Sequence, residues 1–287
     1  MGIFDFLFKK KDNAKQLLEP VKISAEVTLP RVLANHWQDI QKTGLTFVSI
    51  EAIPQKHLTL EQSKFGHYPC IPESFPYPTG PDGEFLYPLA QINFSEFASL
   101  PGYPAKGYLQ FYIGSDDQYG LDFDNMQAQI SFRVFFFEEE DVQNKRTDFA
   151  FLDNVMESDA GPVFKPHALT FTTKTDYIGL SDFRSSNSPY FNRDAIVKDN
   201  PTISAKLIRA MYEQFSSAGH KIGGYASFTQ DDPRRFNDAL KDYILLLQID
   251  SADEITWGDV GVANFFIHPD DLSKKDFSKV LYNWDSH

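Results

Sequence analysis

Leu89-Ala90-Gln91-Ile92-Asn93 and Leu246-Leu247-Gln248-Ile249-Asp250 decide the fold. Each is a short apolar run interrupted by one glutamine, the pattern of a strand buried in a core, and the pattern is written twice. Working outward, Lys64-Phe65-Gly66-His67-Tyr68 returns as Lys221-Ile222-Gly223-Gly224-Tyr225. Both pairs stand 157 residues apart (64 to 221, 91 to 248). A third pair, Gly107-Tyr108-Leu109-Gln110-Phe111-Tyr112-Ile113 and Gly261-Val262-Ala263-Asn264-Phe265-Phe266-Ile267, stands 154 apart, so the connection before it is three residues shorter in the second copy. Three collinear matches at nearly one offset read as an internal duplication. One copy alone would expose an apolar sheet face, and pairing two copies buries it. The expected fold is α+β and β-rich: two divergent structural repeats, mostly antiparallel sheet packed about a pseudo-twofold axis, with a few helices.

The rest of the chain fits round this frame. Residues 1–28 read as an N-terminal arm and 29–287 as one duplicated domain, with repeat one at about 45–137, a linker at about 138–165 and repeat two at about 166–285. Val32, Leu33, His36, Trp37 and Ile40 recur at helical spacing up to Gly44. A second helix is expected from Asn200-Pro201, with Ile203, Leu207, Ile208, Met211 and Phe215 as its apolar stripe, and a short turn of helix at 269–275. Further strands are expected at 45–52, 89–94, 107–113, 128–137, 169–173, 177–180, 243–250, 261–267 and 277–284. Between Pro69 and Pro88 six prolines alternate with aromatics. Proline removes ladder donors, so this stretch reads as an irregular loop.

Composition narrows the function classes. With 27 Phe and 13 Tyr among 287 residues, the apolar inventory is aromatic, which suits a pleated surface. The net charge of −13 excludes a general nucleic-acid binder, since phosphate contacts require a basic footprint, and it suits either solubility or a basic partner. The lone Cys70 excludes an intramolecular disulfide framework and a Cys-rich zinc site and fits a reducing, cytoplasmic setting. Phe4, Phe6, Leu7 and Phe8 followed by Lys9, Lys10 and Lys11 have their charges on the wrong side for an export signal. The segment suits weak contact with an anionic membrane surface, an arm docked on the fold, or a frayed end.

The quoted motifs also carry a resemblance. Ser63-Lys64-Phe65-Gly66, the run Ile71-Pro72-Glu73-Ser74-Phe75-Pro76-Tyr77-Pro78, Leu89 to Asn93 and Gly107 to Tyr112 resemble the first half of the YwqG-like family. Lys221 to Tyr225, Leu246 to Ser251, Trp257-Gly258-Asp259-Val260-Gly261 and Asp271 to Phe277 resemble its second half. His67 and Tyr77 depart from the glycine and tryptophan usual there. The resemblance spans about 45–285 and implies an internally duplicated α+β fold with no catalytic residues to carry over. Some relatives are suspected immunity proteins of bacterial toxin systems.

The candidate site residues are Gln91, Gln248, Tyr68, Tyr225, Tyr77, Trp257 and Asp259. A glutamine on a core strand must find partners, and because both copies carry one, an architectural role is favoured over an active site. Trp257-Gly258-Asp259 pairs an aromatic with a carboxylate, as in a ligand site, although a turn in which Asp bonds backbone is the commoner use. Tyr68, Phe75, Tyr77, Phe85 and Tyr87 on a proline-stiffened loop suit either a recognition surface or a lid over the sheet beneath. Asp116, Asp117, Asp122 and Asp124 lack EF-hand spacing, and the seven histidines form no HxH or HExxH pattern, so no metal or other cofactor is expected. Walker, GxGxxG and GxSxG motifs are missing. The expected function is a non-enzymatic cytoplasmic protein-interaction protein, an immunity protein being one form. The alternative is an enzyme or small-ligand binder with its site between the repeats.

Overall fold

The computed structural model describes residues 16–24, 27–158, 161–188, 191 and 203–287. Asn200, Pro201 and the arm residues 4–11 lie outside them. The chain divides into two compact units, one drawn from 1–45, 175–217 and 225–227 and the other from 46–174, 218–224 and 228–287.

In the first unit, β1 (Pro20–Lys22) and β2 (Thr28–Pro30) pair antiparallel. The helical pattern from Val32 to Ile40 forms two short helices, Arg31–Ala34 and Trp37–Gln41, parted by a turn at Asn35 and His36. Leu33 and Ile40 still bury the expected stripe. They pack in one cluster with Leu207 and Met211 of the helix Ser204–Gln214, Phe215 at its C-cap, and Ile178, Phe191 and Tyr225. Residues 177–180, expected as a strand, are irregular. A Cβ on Gly179 would lie 2.3 Å from the Phe215 carbonyl oxygen, so the backbone there follows a close tertiary approach rather than a ladder.

The second unit carries nearly all of a ten-stranded sheet. Its strands are β3 (Leu45–Pro54), β4 (Lys64–Phe65), β5 (Tyr87–Asn93), β6 (Tyr108–Ile113), β7 (Phe132–Phe137), β8 (His167–Asp176), β9 (Lys221–Gly223), β10 (Ile244–Asp250), β11 (Val262–Ile267) and β12 (Leu281–Asp285). The order is β12-β11-β10-β9-β3-β8-β4-β5-β6-β7. Lys64 faces Gln91 across β4 and β5, and Lys221 faces Gln248 across β9 and β10. Gln91 faces Gln110 on β6, and Gln248 faces Asn264 on β11. The ladder slips between Pro88 and Ala90 in one array and between Leu245 and Leu247 in the other, the same place in both. The strand, expected to start at Leu89, begins at Tyr87, with Pro88 opposite Tyr112 and Leu89 the residue left without a partner at the slip.

Other boundaries moved too. β8 runs without a break from His167 to Asp176, whereas residues 128–131 and 277–280 lie in turns. The sheet curls until its two edge strands meet. Phe132 of β7 lies 5.2 Å from Tyr282 of β12, and the Phe136 and Phe277 rings stack at 5.7 Å. Tyr282 donates its backbone N–H to Met126, in the connection before β7. Phe111 and Phe265 meet inside the curl at 4.7 Å. Leu89, Ile92, Phe111, Leu246, Ile249 and Phe265 are all buried there.

Candidate functional site

Beneath the proline loop the sheet buries a polar cluster. The Gln91 Oε1 accepts from the Cys70 backbone N–H at 2.7 Å and from Gln110 Nε2 at 2.9 Å. The Gln91 Nε2 donates to the carbonyls of Leu60 and Gln62. Gln110 also donates to the Cys70 carbonyl, and its Oε1 accepts from the Tyr112 hydroxyl. The Lys64 Nζ donates to the Thr59 and Leu60 carbonyls at 2.7 and 2.6 Å. Burial pushes its ammonium down to about 7, opposed by the carboxylate charges of Glu61 and Glu96. Burial also pushes the Cys70 thiol up to about 11, which leaves it a poor nucleophile. These groups spend their hydrogen bonds on an irregular backbone that lacks a ladder of its own. Gln248 works similarly, donating to the Gly219 carbonyl at 2.7 Å. Gln110 and Lys64 were not singled out in the sequence. The signal for Gln110 was present, since a strand paired in register with Gln91 needs a polar residue opposite it.

A histidine pair is the second feature missed, because its members are 53 residues apart in sequence (167 to 220). His167 is 1% exposed, and neither ring nitrogen has a hydrogen-bond partner. Burial lowers its pKa. The His220 Nδ1 accepts from the Asp250 backbone N–H at 3.0 Å, and its ring lies edge-on to Phe65 at 5.4 Å. Burial first, then the charge of His167, pushes His220 down to about 4. Among the described residues, no group of three or more His, Cys, Asp or Glu is placed to hold a metal ion.

The expected surface residues are largely turned inward. The Tyr77 hydroxyl donates to the Leu86 carbonyl, and its ring meets Tyr112 edge-on at 5.5 Å. Tyr68 stacks on Phe149 at 5.1 Å and bonds Asp153. Arg146 donates to the Glu73 and Phe75 carbonyls, pinning the loop from outside. The loop thus packs as a lid over its own sheet, leaving Phe85 at 36% exposed. Tyr225 belongs to the first unit, where its hydroxyl donates to the Thr43 carbonyl at 2.7 Å and the Arg184 guanidinium lies 5.2 Å from its ring centre.

Trp257 and Asp259 share a turn in the second unit. Trp257 is fully buried, with the Tyr119 ring edge-on at 5.4 Å and Trp284 at 6.2 Å, while Asp259 is exposed. Trp284 is half-buried and donates its Nε1–H to the Gln118 carbonyl at 2.7 Å. Tyr119 (φ 52°) and Val260 (φ 55°) hold left-handed backbone that side chains with a Cβ seldom adopt. The Asp116 carboxylate accepts from the N–H groups of Gln118 and Gly120, and Asp122 from those of Asp124 and Asn125, so these two acids shape their own loop. Beside them is a recess of about 240 Å³ bounded by Asp116, Gly120, Leu121, Asp122, Ile130 and Ser131. Phe123, Ile130 and Val260 stand out at 58%, 52% and 61% exposed.

The fold and these groups define a β-rich α+β protein whose buried polar residues serve its own loops. Residues 63–286 match the model of the family described as Domain of unknown function (DUF1963), and the chain belongs to that family. No curated protein matches it. Among the described residues, no helix is long and apolar enough to cross a membrane.

Proposed function

We propose that this protein is a cytoplasmic, non-enzymatic protein-interaction protein of YwqG-like kind, built from two copies of one unit. The observation that carries the functional reading is the exposure of Phe123, Ile130 and Val260 on two loops that meet where the Tyr119 ring packs edge-on against Trp257. Large apolar side chains grouped on loops and rimmed by polar residues mark association surfaces. An immunity protein, whose partner is a toxin, is one form of this reading.

Three observations support the duplication: matching registers around Gln91 and Gln248, ladder slips at one shared position, and positive φ at both Gly66 (66°) and Gly223 (73°). The meeting of Phe111 with its counterpart Phe265 suits a pseudo-twofold axis through that contact. The enzyme alternative draws on Lys64, whose near-neutral pKa is of a kind that clusters at functional sites. Against it, Lys64 is buried and its donors are directed at its own loop.

The test is affinity capture with the full chain against a Phe123→Ser/Ile130→Ser variant. A partner held by the native protein and lost with the variant supports the reading. Equal retention by both refutes it.

A further inference from the structure

We propose that the loop 114–131 and the turn 257–260 form a docking surface for a cationic, amphipathic segment of a partner protein. This rests on the interaction reading above and names the chemistry of the partner. The apolar element comes first. Phe123, Ile130 and Val260 are three of the nine exposed large apolar side chains among the described residues, and they fall within these two short segments. The recess of about 240 Å³ beside Ile130 offers room for an apolar side chain. The surface is also preformed: the Tyr119 carbonyl accepts from the Tyr282 hydroxyl, and the Gln118 carbonyl from Trp284. A surface ordered before binding loses less entropy on association.

Charge selects the occupant. Residues 107–132 contain Asp116, Asp117, Asp122 and Asp124 and no Lys or Arg, and residues 242–273 contain Asp259 and likewise no Lys or Arg. None of these five carboxylates joins an ion pair among the described residues, whereas Glu138, Glu139 and Glu140 are met by Lys106 and Lys275. Asp117, Asp124 and Asp259 are exposed and hold no turn through their carboxylates, so they are open to Lys or Arg side chains. The half-buried rings of Tyr119 and Trp284, 5.1 Å apart, add faces on which a guanidinium can lie. Unpaired carboxylates around this polar-lined recess, with exposed apolar side chains beside it, favour a basic amphipathic partner over nucleic acid or anionic membrane.

The test uses the full chain and three synthetic peptides of equal length: leucine alternating with lysine and arginine, its glutamate twin, and its neutral glutamine twin. Binding is read by calorimetry and by fluorescence, since Trp257 and Trp284 lie in this region. The cationic peptide is expected to bind at least about tenfold more tightly than the neutral one, and to weaken as salt is raised from about 0.05 to about 0.5 M. Asp117→Asn/Asp124→Asn/Asp259→Asn and, separately, Phe123→Ser/Ile130→Ser should each raise Kd by about tenfold or more, with Phe85→Ser unchanged. If the neutral peptide binds as well as the cationic one and Phe123→Ser/Ile130→Ser abolishes both, the cationic occupant is refuted while the interaction surface stands. If no peptide binds, or the variants bind like the native chain, the docking surface is refuted. A native dimer that becomes monomeric in Phe123→Ser/Ile130→Ser would identify a second copy as the occupant and overturn the proposal.

Discussion

Replacing His220 by asparagine should flatten the acid dependence of stability. In the folded protein the His220 Nδ1 accepts from the Asp250 backbone N–H, which requires the neutral ring. Burial holds its pKa down at about 4, against an ordinary value of 6.5. Above pH 6.5 the ring is neutral in both folded and unfolded chains, so it contributes no pH dependence. Below 6.5 the unfolded chain takes up a proton that the folded chain refuses, and stability falls until the folded ring also titrates near pH 4. The full loss across that window is about 3 kcal/mol. Asparagine places Oδ1 close to where Nδ1 sits, so it retains the acceptor and cannot titrate. Of the neighbouring groups, His167 lowers the His220 pKa and Asp253 raises it, and Asp250 itself is held above its usual range by burial. All three remain in the variant. Urea unfolding of both proteins at about pH 7.5 and about pH 4 is the assay. The native protein should lose about 3 kcal/mol more than His220→Asn between the two pH values. Parallel losses would show that His220 is not held neutral by the fold.

Gln91→Leu should lower stability by about 1–3 kcal/mol in urea unfolding, because it strands the Cys70 N–H, one amide N–H of Gln110 and the Gln62 carbonyl in the interior. The Arg234 guanidinium is buried against the Asp232 carboxylate and also donates to the Tyr243 carbonyl, so Asp232→Ala should cost about 3–5 kcal/mol by leaving a buried cation. In Gly120→Ala the added Cβ would lie 2.1 Å from the Ser131 carbonyl oxygen at a φ of 75°, and calorimetry should show a loss of about 2–4 kcal/mol. Gly83→Ala, whose Cβ would meet nothing within 4 Å at a φ of 85°, should cost only about 1 kcal/mol.

The strands that form the middle of each array were legible because their information is local. Leu89–Asn93 and Leu246–Asp250 carry apolar runs and a glutamine wherever they sit, and burial on both sides leaves few alternatives to strand. The proline spacing in 69–88 likewise excludes regular structure from within the segment. Helix and strand ends were less legible. His36, residues 177–180 and Pro88 took conformations set by what lay against them, namely a turn between two short helices, the close approach of Gly179 to Phe215, and the pairing of Pro88 opposite Tyr112.

Of the candidate residues, Gln91 and Gln248 could be marked in the sequence, because an amide on a core strand always needs partners. Which partners it finds depends on a loop returning from 21 residues away to place the Cys70 N–H over it. The proline loop's aromatics could be found by eye, but whether Tyr77 faced solvent or the Leu86 carbonyl was settled only by the sheet beneath. The His167 and His220 pair and the joining of loop 114–131 to the turn 257–260 depend on residues far apart in the chain, and on the curl that brings β7 to β12. A periodic pattern is a property of neighbours in sequence and survives in any context. Burial, orphaned nitrogens and shared surfaces are properties of neighbours in space, and only the packed chain supplies those.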